Sequence, residues 1–268
     1  MRNPIVTLTS DWGDQSFFAG MVKGRLYSMI EGVQVVDIAH HIEPYNVLEA
    51  SFVVRHGCMG FPAGTVHIID VASNPKNENA FVAIKVRGQF LLCNNNGLPT
   101  MAFGDEVEAA VSLPMQENRI YNFAAYSLLA PAAAHLAAGG DMAQLGTPLT
   151  QLVQRMPPRW IRQGDQIHIP ILSVDRYGNA YLGMSYHEFE QERQGRPYAL
   201  QVRDLRITQM QASYHQHPSH TQMQRAGNAR ELCLTVSATG LLELAVSNSS
   251  FAQLVGMRLG EMVLLELK

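Results

Sequence analysis

Ile5-Val6-Thr7-Leu8-Thr9-Ser10-Asp11-Trp12-Gly13-Asp14 decides how this chain is read. Residues 4–9 alternate as a short strand does, and two carboxylates stand just beyond its end. In open α/β sheets ligands bind outside the carboxyl ends of the strands. No glycine-rich phosphate loop follows, so the first turn offers acid rather than backbone N–H groups. Such a turn suits a ligand with a diol or a positive charge better than a dinucleotide pyrophosphate. It also argues against a methyltransferase.

The same pattern repeats downstream. Residues 16–31 read as an amphipathic helix with Phe17, Met21, Leu26 and Met29 on one broad apolar face. Residues 33–38 and 64–70 read as further strands, with Asp37 and Asp70 at their ends, and Val47 to His56 reads as helical. Apolar runs at 80–86 and 90–93 precede a turn at Asn94-Asn95-Asn96-Gly97. Residues 125–138 form an alanine- and leucine-rich helix closed by Gly139-Gly140. Strands alternating with helices indicate an α/β domain with a mostly parallel sheet. From Met156-Pro157-Pro158 onward the helical signal fades. Short apolar runs at 166–174, 180–184, 199–203, 231–236, 241–247 and 261–267 predict an all-β, barrel-like domain, and 212–229 reads as a long polar loop. The boundary falls between 150 and 165, giving an α/β domain over 1–158 and a β domain over 159–268.

Composition narrows the classes of function. A formal net charge of -3 in 268 residues argues against a surface that holds nucleic-acid phosphates. Three widely spaced cysteines, Cys58, Cys93 and Cys233, suggest neither a disulfide framework nor a zinc site. With no signal-like opening and no apolar run of membrane-spanning length, a soluble cytoplasmic protein is expected.

Asp11, Asp37 and Asp70 each close a strand, and a parallel sheet brings them to one edge. Each alone reads more readily as a turn or N-cap aspartate. Together, like charges at one edge repel, and a cationic or diol-bearing ligand would relieve that cost. His40-His41 sits nearby, but adjacent residues on an extended segment point to opposite sides, so ordinary structural histidines are expected. His215, His217 and His220 have better spacing for a metal, yet no acid or cysteine stands near them, and a closed zinc site needs four ligands. No metal site is expected. Val174-Asp175-Arg176-Tyr177-Gly178-Asn179 reads as a hairpin turn that leaves the Asp175 and Asn179 side chains available to bind something.

In this order, these segments resemble the S-adenosylmethionine hydrolase, chlorinase and fluorinase family. The likeness is carried by Thr7 to Gly13 with Gly20-Met21-Val22-Lys23-Gly24, Asp37-Ile38-Ala39-His40, Pro44-Tyr45-Asn46-Val47 and Gly64 through Asp70. Asn96-Gly97-Leu98, the helix from Leu129 to Ala137, and Asp175 to Asn179 complete it. The resemblance implies a homotrimer, with each active site between the N-domain of one chain and the C-domain of its neighbour. It implies that Asp11 holds the ribose diol, that Tyr45 packs on the nucleoside, and that Asn96 belongs to the substrate site. Asp175 and Asn179 would bind the methionine end. Ser249 and Ser250, in Asn248-Ser249-Ser250-Phe251, would help close the adenine and methionine pockets. S-adenosyl-L-methionine would be the substrate, with no cofactor.

The hydrolase branch is understood to position its water with an Asp, an Arg and a His. Asp70 matches the first and is the expected catalytic residue. Asn77 stands where the Arg would be, and Ala124-Ala125-Tyr126-Ser127 where a His-Gly-Arg-Asp stretch would be. Leu182-Gly183 replaces the Thr-Asn that follows the family's Gly-Asn. Lys76, His67 and Tyr126 are the candidate substitutes. A halogenase is disfavoured, because Asp70 puts an anion where a halide must approach. Two expectations remain: hydrolysis of S-adenosyl-L-methionine to adenosine and L-methionine by water or hydroxide at C5′, or a binding protein without turnover on the same scaffold.

Overall fold

The computed structural model describes residues 3–76, 79–115, 122–214 and 232–268. Asn77 and the histidines His215, His217 and His220 lie outside the described residues. The chain divides into two compact units, Met1–Pro157 and Pro158–Lys268.

The first unit runs β1 (Ile5–Ser10), α1 (Phe18–Met29), β2 (Gln34–Ala39), α2 (Val47–Gly57), β3 (Val66–Asp70), β4 (Phe81–Val86), β5 (Gln89–Asn94), α3 (Leu98–Phe103), β6 (Val107–Ser112), α4 (Ala130–Ala137) and β7 (Thr147–Pro148). They form one sheet of order β2-β1-β3-β5-β4-β6-β7. The pairings β2-β1, β1-β3 and β3-β5 are parallel, and β4, β6 and β7 extend the sheet antiparallel. Every residue of β3 is buried, because helices cover both faces of the parallel half. On one face Leu8 and Ile68 pack with Val22, Leu26, Leu129 and Ala133. On the other, Ile69 and Leu91 pack with Ala50, Val54, Leu98 and Phe103.

The chain leaves β1 for β2 on one side and returns to β3 on the other. The strand order therefore reverses between β1 and β3, which opens a crevice at their carboxyl ends. That switch point positions the candidate site.

Two of the expected helices depart from the sequence pattern. The broad apolar face expected of α1 is mostly outward: Val22 and Leu26 are buried, whereas Phe17, Met21 and Met29 are exposed. A helix that meets its neighbours along one i, i+4 stripe hides only that stripe. Phe17 and Met21 fall beside it, and Met29 ends the helix. The helix expected over 125–138 opens with a π turn at Ala125–Leu129 before α4. Pro131 has no N–H to bond the Ser127 carbonyl, so the regular ladder is interrupted there.

The second unit contains β8 (Ile161–Gln163), β9 (Gln166–Val174), β10 (Ala180–Ser185), α5 (Tyr186–Arg193), β11 (Tyr198–Val202), β12 (Leu205–Ile207), β13 (Leu232–Val236), β14 (Leu241–Val246), α6 (Phe251–Val255) and β15 (Met262–Leu267). The order is β12-β11-β15-β9-β10-β14-β13, with β8 on β9, and every pairing is antiparallel. The two end strands, β12 and β13, approach each other, so the sheet is nearly closed and barrel-like. The first half of β9 pairs with β15 and its second half with β10, so this long strand joins the two sides. Ile169, Leu182, Leu234, Leu244, Phe251 and Leu265 fill the interior.

Candidate active site

At the switch point, β1 delivers Asp11 and β3 ends in Asp70. The Asp70 carboxylate is buried, and each oxygen carries one neutral donor: the Trp12 indole Nε1–H to Oδ2 at 3.0 Å, and the Ser73 hydroxyl to Oδ1. Burial pushes the Asp70 carboxyl above its ordinary 3.8; the two hydrogen bonds pull it back, and the charge of Asp11 raises it again. A buried acid of raised pKa beside a second acid at a switch point is a candidate functional carboxylate.

Asp11 is built differently. Its Oδ2 accepts the backbone N–H groups of Tyr45 and Ala72, each at 3.1 Å. Tyr45 has φ +66° and Ala72 φ +51°, a region that L residues with a Cβ seldom occupy. One carboxylate oxygen thus latches two strained turns, one before α2 and one after β3. Tyr45 is 81% exposed. Asn96 joins the same group: its Nδ2 donates to the carbonyl of Val71 at 3.0 Å, and its Oδ1 accepts from Leu98 N at 3.1 Å.

The third strand-end acid, Asp37, is already compensated. Lys23 from α1 and His40 both hydrogen-bond its carboxylate. Burial pushes this carboxyl up, but those bonds and charges outweigh it and hold Asp37 below the ordinary range. His40 also bonds the Ser10 hydroxyl at 2.7 Å and is buried, while His41 is exposed. Among the described residues, Asp11 and Asp70 are therefore the two strand-end acids without an ion pair.

Of the three candidate substitutes, His67 is locked in the fold. Thr7 Oγ1 and Gln89 Oε1 each lie 2.7 Å from one of its ring nitrogens. Burial lowers it to about 4, and three residues along a strand place it on the opposite face from Asp70. Tyr126 lies under the Arg25 guanidinium, 5.5 Å from ring centroid to Cζ. Lys76 is exposed. Ala124 is buried in the apolar core.

The second unit holds the other predicted residues. The turn between β9 and β10 is closed by Asp175 N to Asn179 O at 3.0 Å and Gly178 N to Asp175 O at 2.9 Å. Asp175 Oδ1 accepts Asn179 N at 2.8 Å, and its Oδ2 accepts from Asn179 Nδ2 at 3.3 Å and the Tyr181 hydroxyl at 3.4 Å. Ser250 caps α6 through Gln253 N at 3.2 Å. It presses on Gly178, where a Cβ would stand 1.9 Å from Ser250 Oγ. Asn179, Ser249 and Ser250 line one cleft of about 570 Å³ with Tyr177 and Tyr214. Asp11, Tyr45, Asp70 and Asn96 are thus brought together in one unit, and Asp175, Asn179, Ser249 and Ser250 in the other.

Sequence reasoning assigned no role to Trp12, Ser73, Tyr181, Tyr214 or Glu243. Glu243 is fully buried, with Oε1 accepting the Tyr214 hydroxyl at 2.8 Å. Burial raises its carboxyl, and the neighbouring Asp175 charge adds to this. Burial, with Glu243 and Asp175 beside it, pushes the Tyr181 hydroxyl to about 12. A lone acid within the apolar run Leu241-Leu242-Glu243-Leu244-Ala245-Val246 was the available signal. Among the described residues, no three His, Cys, Asp or Glu side chains gather as a metal site would require, and no helix is long and apolar enough to cross a membrane.

Comparison with known proteins gives a consistent family. The family model of the SAM hydroxide adenosyltransferase N-terminal domain matches residues 6–146, and that of the C-terminal domain matches residues 169–264. The chain is 26% identical over 269 residues to a protein of Salinispora tropica named (R)-S-adenosyl-L-methionine hydrolase, covering 96% of each chain. It is 25% identical over 284 residues to a fluorinase of Actinopolyspora mzabensis, covering 93% of this chain and 92% of the other. In fold it is similar to an uncharacterized conserved protein from Thermotoga maritima, with a TM-score of 0.83 at 20% identity, covering 97% and 99% of the two chains.

Proposed function

The chain belongs to the SAM hydroxide adenosyltransferase family, and on that premise we propose that it hydrolyses S-adenosyl-L-methionine to adenosine and L-methionine. The water oxygen bonds to C5′ of the substrate. The C5′–S bond breaks with its electron pair passing to sulfur, and methionine leaves as a neutral thioether. The proton lost by the water goes to the Asp70 carboxylate. A raised pKa suits this role, since a carboxylate at the ordinary value is a weak base at neutral pH. As hydroxide approaches a sulfonium, opposite charges cancel, so a site with fixed dipoles and little water favours the reaction.

In this proposal Asp11 takes the ribose diol with Oδ1, the oxygen its backbone latch does not use. Tyr45 covers the nucleoside and Asn96 supports the turn after β3. Asp175 and Asn179 take the charged methionine end, with Ser249 and Ser250 at its border. A homotrimer with sites shared between neighbouring chains, working in the cytoplasm without a cofactor, belongs to the same proposal. The observation that carries it is the buried, neutrally paired Asp70 beside Asp11 at the switch point.

One observation favours a second reading, a binding protein without turnover. No Arg, Lys or His among the described residues hydrogen-bonds Asp70, and Ala124 is apolar core where the family likeness calls for a histidine. Purified protein incubated with S-adenosyl-L-methionine, followed by chromatography for adenosine and methionine, separates the two. Product from the wild type but not from Asp70→Asn supports hydrolysis. Binding without product in both supports the second reading.

A further inference from the structure

We infer that Trp12 is the positioning residue of Asp70: its indole N–H fixes the carboxylate in one orientation, a service that a guanidinium would otherwise render. The inference rests on the reading of Asp70 as the base.

The indole is itself held in place. It stacks on His40 with centroids 5.7 Å apart and planes at 14°, and it meets the Phe123 ring edge-on at 5.1 Å. His40 is pinned between the Ser10 hydroxyl at 2.7 Å and Asp37 at 3.0 Å, and Asp37 is bound in turn by Lys23. Gly13 N–H donates to the His40 carbonyl at 2.6 Å, which closes the turn that carries the indole. Rings packed on two sides leave Nε1 one direction in which to donate, and Asp70 Oδ2 lies along it at 3.0 Å.

The donor's neutrality matters. A guanidinium would stabilise the anion strongly and make Asp70 a weaker base; an indole N–H orients it with a smaller penalty to basicity. Ser73 holds the other oxygen from the turn after β3. Among the described residues, the charged and titratable groups around Asp70 are Asp11 from the end of β1 and, beyond the indole, His40 with the Asp37–Lys23 pair. Removing Trp12 leaves burial and Asp11 opposed by Ser73 alone, so the carboxyl protonates at higher pH.

The test uses the chain's two tryptophans, Trp12 and Trp160. In Trp160→Phe all tryptophan emission comes from Trp12. Its emission should show a pH transition that disappears when Asp70→Asn is added. In Trp12→Phe, the acid limb of the kcat profile should move up by about one pH unit and kcat should fall roughly 10-fold with KM unchanged. An emission profile left unchanged in midpoint and amplitude by Asp70→Asn would overturn the inference, because the indole would then be blind to the carboxylate. So would an active Trp12→Phe with wild-type kcat and acid limb. If the wild type gives no product, the hydrolase reading fails, and the emission titration still decides whether Trp12 and Asp70 are coupled.

Discussion

Asp11 offers the sharpest test, because its two oxygens are assigned different tasks. Oδ2 accepts two backbone N–H groups, from Tyr45 and Ala72. A hydrogen bond to a charged group contributes about 1.5–3 kcal/mol. The Tyr45 N–H is exposed and regains water when the carboxylate is removed, so its share is small; Ala72 N–H is partly buried and loses more. Asp11→Ala should therefore destabilise the first unit by about 2–3 kcal/mol. Asp11→Asn can turn its amide oxygen to the latch position. Neutral acceptors are roughly half as strong as charged ones, so that variant should lose only about 1 kcal/mol.

Ligand binding should rank the variants differently. In Asp11→Asn the NH2 group occupies the Oδ1 position and cannot accept hydrogen bonds from a diol. Adenosine should bind about 100-fold more weakly, an effect of about 3 kcal/mol, while 2′,3′-dideoxyadenosine should bind wild type and variant alike. Urea denaturation and titration calorimetry measure the two effects separately. Unchanged stability in Asp11→Ala would refute the latch. Undiminished adenosine binding by Asp11→Asn would refute the ribose assignment, whatever the latch does.

Three further outcomes are expected. His67 titrates near 6.5 when unfolded and at about 4 when buried, so the native state resists its protonation. The stability it contributes is present above pH 6.5 and lost as pH falls towards 4, about 3 kcal/mol in all; His67→Gln should flatten this slope in urea titrations compared across that range. Glu243 shifts the other way. Burial raises its carboxyl above the ordinary 4.5, so its stability contribution is present below that value and lost as pH rises through the native pKa. Glu243→Gln keeps an acceptor for Tyr214, and thermal melts should show it more stable than wild type at pH 8 but not at pH 4; equal melting points at both would argue against a buried ionisable group. Gly178 has φ +84° and faces Ser250 too closely for a Cβ, so Gly178→Ala should cost the second unit about 2 kcal/mol or more and spoil the cleft, as read by its melting transition.

What the sequence disclosed follows from the range of the interactions involved. Alternation along Ile5–Ser10 and the acids at the ends of β1 and β3 are local patterns, and a parallel sheet with a reversal in strand order carries them to one crevice. The turn from Asp175 to Asn179 is also local, and it closes as a hairpin. The compensation of Asp37 was not legible, because Lys23 reaches it from a separate helix. Nor was the Asp70 pairing, since the Trp12 indole crosses 58 residues of sequence to make it. The outward face of α1 was not legible either, because periodicity marks which residues share a side and not how wide a stripe the neighbours cover. Helix α5 is a different case: Ser185-Tyr186-His187-Glu188 is a readable capping box, formed with Glu188 N to Ser185 Oγ at 3.1 Å and Ser185 N to Glu188 Oε2 at 2.7 Å.

The division among the three strand-end acids bears directly on mechanism. Three unpaired carboxylates at one edge would repel, and such a cluster would persist only if a ligand relieved it. The structure relieves one internally, spending Lys23 and His40 on Asp37. His40 then becomes the platform on which Trp12 stacks, so the compensated acid orients the indole that orients Asp70. Asp11 is relieved only in part, by two neutral backbone donors on a single oxygen. Asp70 is left with neutral donors and a raised pKa. The edge therefore grades from a fully paired carboxylate through a half-used one to a basic one. In the proposed reaction a nucleoside sulfonium would meet that gradient with the diol towards Asp11 and the electrophilic carbon towards Asp70. A substrate analogue lacking the positive sulfur but keeping the diol should keep its dependence on Asp11 and lose any dependence on the charge of Asp70.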